Sequence, residues 1–150
     1  MYNEIDIKLP KDLIIEENYD DPYDKDIHEK HNYLCYKMFC NEQVLGSARY
    51  KLMRGLWYLE EFDAQLPNSK SNQGYGTLFL KFLVNKMLSE MTTKIYMQAS
   101  YGFGSKSGEY FIQWLTKRGF EQDKELFPHL TSIYSLCPEN VSKLFNYSSF

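Results

Sequence analysis

Hydrophobic and polar positions divide this chain at about residue 30. Before that point the pattern is polar. An acidic cluster of Glu16, Glu17, Asp20, Asp21, Asp24 and Asp26 is broken by Pro22, and only Leu13-Ile14-Ile15 reads as a short strand or the start of one. Two runs rich in aromatic and apolar residues follow, Tyr33 to Phe39 and Val44 to Leu52. The segment Asn41-Glu42-Gln43 between them reads as a turn, so the pair predicts an antiparallel hairpin. A third strand runs from about Leu56 to Leu66, with the imperfect alternation expected when both faces are partly covered. The polar loop Pro67-Asn68-Ser69-Lys70-Ser71-Asn72 comes next, closed by Gly74 and Gly76. From Thr77 to Met91, Leu78, Phe79, Phe82, Leu83 and Met87 recur at helical spacing and predict a helix with one buried stripe. Lys94 to Ala99 reads as a strand, and Tyr101-Gly102-Phe103-Gly104 as a Gly-rich loop. Glu109 to Lys117 reads as an amphipathic helix stopped by Gly119, and Phe127 to Leu136 contains a last strand with Pro128 at its start. The order is hairpin, strand, helix, strand, helix, strand. It predicts a mixed α/β (α+β) domain over residues 1–150, with one sheet covered by helices and a short acidic segment at 1–30.

Composition narrows the function classes. With 150 residues, 43% of them hydrophobic, the chain can bury a sizeable core. The net charge of −3, with no basic stripe, argues against nucleic acid as a partner. No apolar run approaches the length that spans a bilayer, so no membrane association is expected. Cys35, Cys40 and Cys137 are an odd number without paired spacing. They predict neither a disulfide framework nor a metal site, and fit a reducing, cytoplasmic setting; the polar start Met1-Tyr2-Asn3-Glu4 does not read as a signal peptide.

The stretch Gln73-Gly74-Tyr75-Gly76-Thr77 carries the chemistry. A strand that runs through a Gly-containing turn into a helix builds an anion site. The first helical N–H groups lack acceptors inside the helix, the dipole is positive there, and glycines let a phosphate approach the backbone. Candidate donors are the backbone N–H groups of Gln73, Gly74, Tyr75, Gly76 and Thr77, with the Thr77 hydroxyl. A Walker loop would need Lys-Ser/Thr after the second Gly, but Thr77 is followed by Leu78; a dinucleotide fingerprint would need a third Gly.

Gln73-Gly74-Tyr75-Gly76-Thr77-Leu78-Phe79-Leu80 resembles the pyrophosphate loop of the GNAT superfamily of acyl-CoA N-acyltransferases, whose pattern is Gln/Arg-x-x-Gly-x-Gly/Ala at the start of the central helix. Gln43-Val44-Leu45-Gly46-Ser47-Ala48 is similar to that family's Gly-containing strand, and Lys117-Arg118-Gly119-Phe120 to the Gly-Phe that ends its second core helix. The resemblance covers about residues 31–136. It implies a central, mostly antiparallel mixed sheet flanked by helices. It also implies acetyl-CoA or another acyl-CoA as co-substrate, and transfer of the acyl group to a primary amine of a small molecule or a protein. In that family the strand end at Leu66 hydrogen-bonds the pantetheine arm, two parallel strands splay apart there, and the thioester enters the gap.

The chain departs from the pattern in three places. Ser71 stands at the first motif position, with Lys70 beside it as a substitute charge. Leu115 occupies the place, four residues before Gly119, where many members carry the Tyr that protonates the departing thiolate; Tyr110, Tyr101, Ser105 or solvent are the substitutes, and Ser105 also joins the CoA-contacting set. The third departure is that only residues 18–30 are available for the two helices the family usually inserts before the hairpin. For the base, the resemblance points to Glu60, fourteen residues before Gly74. Glu61 is the fallback, because period-two alternation exposes only one of the two to the cleft. His28, His31 and His129 are scattered and read as surface or structural. A second reading keeps the fold and CoA binding but loses catalysis, leaving a binding or interaction module. The acceptor and the oligomeric state, a homodimer included, are not set by these residues.

Overall fold

The hairpin turn fixes the register of the first half of the sheet. In the computed structural model, which describes residues 4–19, 25–26, 33–53, 56–63, 74–89, 94–99 and 108–147, Asn41 and Glu42 both take positive φ, 49° and 71°. Two consecutive left-handed residues make the tight connection whose twist suits antiparallel strands. They join β2 (Tyr33–Cys40) to β3 (Gln43–Met53). β1 (Leu13–Glu17) adds to the free edge of β2, and β4 (Leu56–Asp63) to β3, both antiparallel. The second half comprises α1 (Tyr75–Ser89), β5 (Ile95–Gln98), α2 (Gly108–Lys117), β6 (Glu121–Gln122), β7 (Ile133–Leu136), a 3-10 turn at Pro138–Asn140 and α3 (Val141–Phe145). The strands form one sheet in the order β1-β2-β3-β4-β5-β7-β6. β4 and β5 are its parallel pair, joined through α1 as a strand-helix-strand crossover; every other pairing is antiparallel.

The expected elements are present, with three corrections. The last strand begins at Ile133; Phe127 precedes it in a turn closed by Leu130 N–H donating to the Phe127 carbonyl at 3.1 Å. β6 and α3 had no strong periodic signal, being two and five residues long. The third strand is described to Asp63, so Leu66 lies outside the described residues. Finally, α1 is buried around most of its circumference rather than along one stripe: Leu80, Val84, Asn85 and Leu88 are buried alongside Leu78, Phe79, Leu83 and Met87, while Phe82 is half-buried. The N-terminal segment accounts for part of this. The Asn85 side chain takes a hydrogen bond from Ile5 N–H at 2.9 Å and donates one to the Ile5 carbonyl at 2.6 Å, binding residues 4–9 as a strap with Ile7 and Leu9 against the core. The buried amide is satisfied by a backbone it holds in place.

The helix-covered face of the sheet carries the main core, including Leu59, Phe62, Phe79, Phe111, Leu115 and Phe120. The opposite face holds a smaller apolar cluster, Tyr58, Tyr96 and Ile133, packed against Met53, Leu56, Leu126 and Phe127. At the rim of that cluster, Lys94 pairs with Asp123 at 2.8 Å and Glu125 at 3.0 Å, and the Ser135 hydroxyl donates to Asp123 at 2.8 Å. These contacts tie β5 and β7 to the segment after β6. Burial pushes the Asp123 carboxyl up, but hydrogen bonds from Lys94, Ser135 and Glu125 N–H hold it below the usual carboxylate range; the same pairing with Asp123 raises Lys94 despite its partial burial. A carboxyl depressed on folding contributes stability above its unfolded pKa, near 4, and loses it as pH falls through the folded value; a raised lysine contributes below its unfolded value and loses it only in strong alkali. Asp123→Asn is therefore expected to cost about 1–3 kcal/mol at neutral pH. It should also flatten the acid limb of the stability curve. Urea unfolding at pH 7 and pH 3 checks this, and parallel curves for variant and wild type would contradict it.

Candidate functional site

Among the described residues, β4 and β5 are partners for three register pairs, Trp57↔Ile95, Tyr58↔Tyr96 and Leu59↔Met97. Beyond Leu59, β4 continues to Asp63 along β3, whereas β5 continues to Gln98 along β7. The two parallel strands thus separate toward their C-terminal ends. The tip of β4 and the first turns of α1 meet at this opening. A Cβ placed on Gly46 of β3 would lie 2.9 Å from the Asp63 carbonyl oxygen and 3.2 Å from the Phe79 ring. Only a residue without a side chain lets β3, the end of β4 and α1 approach this closely.

The sequence singled out Gly74-Tyr75-Gly76-Thr77, and these residues form the start of α1. Gly74 has φ +81°, a conformation that side-chain-bearing residues rarely adopt, and its carbonyl accepts the first ladder bond, from Leu78 N–H at 3.0 Å. The N–H groups of Gly76 and Thr77 therefore precede the ladder and have no acceptor within the helix. The first turn of α1 carries no acidic residue, so no carboxylate there offsets the dipole. Leu66, Ser71, Gln73 and Ser105, with the alternative donors Tyr101 and Lys70, lie outside the described residues.

Glu60 and Glu61 stand where β4 leaves β5, and their placement corrects the sequence expectation. Arg49 pairs with Glu61 and Tyr50 with Leu59, leaving Glu60 as an extra residue in β4. This bulge breaks the period of two. Both glutamates consequently face away from the helices, on the side of Arg49, while Leu59 and Phe62 both point into the main core. The Arg49 guanidinium bridges them, Nε to Glu60 at 3.1 Å and Nη2 to Glu61 at 3.2 Å, and Lys51 Nζ is 4.0 Å from the other Glu60 oxygen. The Glu60 side chain is 27% exposed and that of Glu61 57%, which makes Glu60 the more enclosed carboxylate. Tyr33 lies beneath both cations, each 5.2 Å from its ring centroid, and a shallow cavity of about 450 Å³ opens between Tyr33, Lys51, Leu52 and Met53.

Leu115, at the place of the expected acid, is fully buried in the core, and its carbonyl accepts hydrogen bonds from Arg118 and Phe120 N–H. Tyr110, on the first turn of α2, is 40% exposed and close enough to Arg118 to favour its charge. Sequence reasoning missed two residues here. Tyr58 donates its hydroxyl hydrogen bond to Gln98 at 2.8 Å across the diverging strands; burial, reinforced by Glu60, pushes its phenol up to about 12. Arg118, read only as part of the Gly-Phe stop, is 6% exposed and donates from Nε to the Thr77 hydroxyl oxygen at 2.9 Å. No local periodicity marks either contact, because the partners lie 40 and 41 residues apart. His129 is an exposed turn residue remote from these groups in the chain, and His28 and His31 lie outside the described residues. Cys35 and Cys40 form no disulfide and are not fully alike: Cys40 is buried, its thiol 3.2 Å from Asp12, whereas Cys35 is half-buried. Among the described residues, no helix is long and apolar enough to cross a membrane.

No family model matches the sequence, and no curated protein matches it. Solved structures match the fold. The AtaT toxin, as a tyrosine-to-phenylalanine variant bound to the C-terminus of the antitoxin AtaR, gives a TM-score of 0.63 at 16% identity, over 92% of this chain and 99% of that one. A GNAT-family acetyltransferase from Staphylococcus aureus gives 0.59 at 14% identity, over 83% and 98%. A GNAT-family acetyltransferase from Elizabethkingia anophelis with acetyl-CoA bound gives 0.58 at 15%, over 85% and 99%. The chain has the GNAT acetyltransferase fold.

Gly46→Val, which would drive methyl groups into the Asp63 carbonyl and Phe79, is expected to destabilise the protein by about 1–3 kcal/mol. It should also move the α1 start away from β4. Chemical denaturation reads the first effect, and amide exchange at residues 76–79 reads the second; wild-type stability would rule out the close approach.

Proposed function

We propose that this protein is an acyl-CoA-dependent N-acyltransferase, most simply an acetyltransferase, built as one cytoplasmic domain over residues 1–150. The observation that carries this reading is the divergence of β4 from β5 after Leu59↔Met97, beside a helix start with a left-handed Gly74 and no acidic residue in its first turn. A slot flanked by backbone polar groups suits a pantetheine arm, and the helix start suits a pyrophosphate. The fold is shared with a neighbour that holds acetyl-CoA. The residues present fit that co-substrate. Gly74, Tyr75, Gly76 and Thr77, with Gln73 and Ser71 before them, would face the phosphates, Leu66 and Ser105 the pantetheine arm.

In the proposed step, the amine nitrogen attacks the thioester carbonyl carbon; a C–N bond forms and the C–S bond breaks. Glu60 takes the amine proton, directly or through one water, and Glu61 shares its face and its Arg49 partner as the reserve base. Tyr110 returns a proton to the leaving sulfur. The acceptor is a primary amine on a small molecule or a protein, reaching Glu60 from the face that carries Tyr33, Lys51 and the shallow cavity. A catalytically impaired CoA-binding module is the second reading. It is favoured by one observation, the fully buried Leu115 at the usual acid position.

Acetyl-CoA is expected to raise the melting temperature, and a panel of amines to release free thiol in its presence. Stabilisation without thiol release from any amine would favour the module. Glu60→Gln is expected to lower kcat by about 10²-fold. Its effect on CoA affinity should be far smaller. An unchanged kcat across the pH range would remove Glu60 as the base.

A further inference from the structure

Arg118 is a buried cation with no acidic partner among the described residues. Its guanidinium lies between two aromatic rings, 3.8 Å from the Trp114 centroid and 4.1 Å from that of Tyr147, and donates to the Thr77 hydroxyl oxygen and, at 2.8 Å, to the Trp114 carbonyl. Among the described residues no carboxylate pairs with it. One turn along α1 from Thr77, Lys81 donates to the Tyr147 carbonyl, and it too has no carboxylate partner among the described residues. Burial lowers both cations, Arg118 to about 10, and Arg118 further lowers Lys81. Arg118 remains charged at neutral pH. A buried guanidinium with no counter-ion among the described residues costs free energy that an incoming anion offsets. Lys81 and Arg118 lie on the first two turns of α1 and against it, where the dipole adds to the same potential.

We propose that Arg118 is a positioning residue that makes the α1 start selective for a phosphate-bearing thioester, acting through Thr77 and held in place by the C-terminal Tyr147. This rests on the acyl-CoA reading above. Thr77 is itself buried, and the donor on one lone pair of its oxygen fixes its side chain at the first turn of α1. The aromatic sandwich keeps water from screening the charge, so the field reaches the first turn of α1. The C-terminal residues after β7 thereby become part of the ligand site, although they lie far from it in sequence.

Calorimetric titration of the full chain with coenzyme A and with phosphate-free pantetheine tests this. The wild type is expected to prefer coenzyme A. Arg118→Met is expected to weaken coenzyme A about tenfold, the equivalent of one charge-assisted hydrogen bond, and to leave pantetheine within about twofold. Should circular dichroism show Arg118→Met unfolded, Arg118→Lys carries the test. It keeps the charge but cannot hold Thr77 and the Trp114 carbonyl together, and about a threefold loss for coenzyme A alone is expected. A purely structural arginine would weaken both ligands equally, and an unchanged ratio in the folded variant overturns the proposal while leaving the acyl-CoA reading intact. A wild type that binds neither ligand overturns both.

Discussion

The parallel contact between β4 and β5 is three residue pairs long, and the arrangement of the site depends on how it ends. Parallel strands joined by a helix normally stay together, since each added pair contributes hydrogen bonds. Here β4 stays with β3 through Asp63 while β5 stays with β7. The bulge at Glu60 lies at the point of separation, and a bulge sharpens the local twist of its strand. The large rings of Phe62, Phe79, Phe111 and Trp114 then pack on the helical side of the diverging strand, with Phe62 within 5.5–6.2 Å of the other three centroids. Those rings support the open end from beneath, so the sheet can part without leaving a void.

Charge is distributed unequally over the two faces of that opening. On the open face Arg49 and Lys51 meet Glu60 and Glu61, and the four charges balance; the ion pairs are partly exposed, so each contributes little to stability and keeps the carboxylates in position. On the helical face Arg118 and Lys81 stand beside the start of α1 with no carboxylate partner among the described residues. The first arrangement suits proton handling, the second an anionic ligand. A single sheet separates them, so in the proposed reaction thioester and amine would approach the same strand end from different sides.

Much of this was legible in sequence and the remainder was not, for reasons that differ by element. The hairpin, α1, α2 and the Gly74 turn are local: helical spacing of Phe79, Leu83 and Met87, turn residues at 41–42 and a glycine at positive φ each announce themselves within a few residues. The bulge was not legible, because strand pattern alone does not say which residue lacks a partner, and alternation therefore put Glu61 on the wrong side. Arg118 and Tyr147 were missed for the opposite reason. Their contacts join α1, the end of α2 and the chain after β7, and only the packed fold brings those three together. Burial of α1 on nearly all sides has the same origin, since the strap through Ile5 and Asn85 spans 80 residues.

The difference between the two halves of the proposed chemistry follows from this. Binding an acyl-CoA asks mainly for backbone geometry, which the glycines and the crossover supply. Proton return to sulfur asks for one side chain in one place, and Leu115 fills the expected place with an apolar group in the core. Replacing it by Tyr would put a hydroxyl into a site that is fully enclosed, at the cost of an unpaired polar group. The donor must therefore come from another position with access to the opening. Tyr110 has the exposure, and in the proposed step it is that donor.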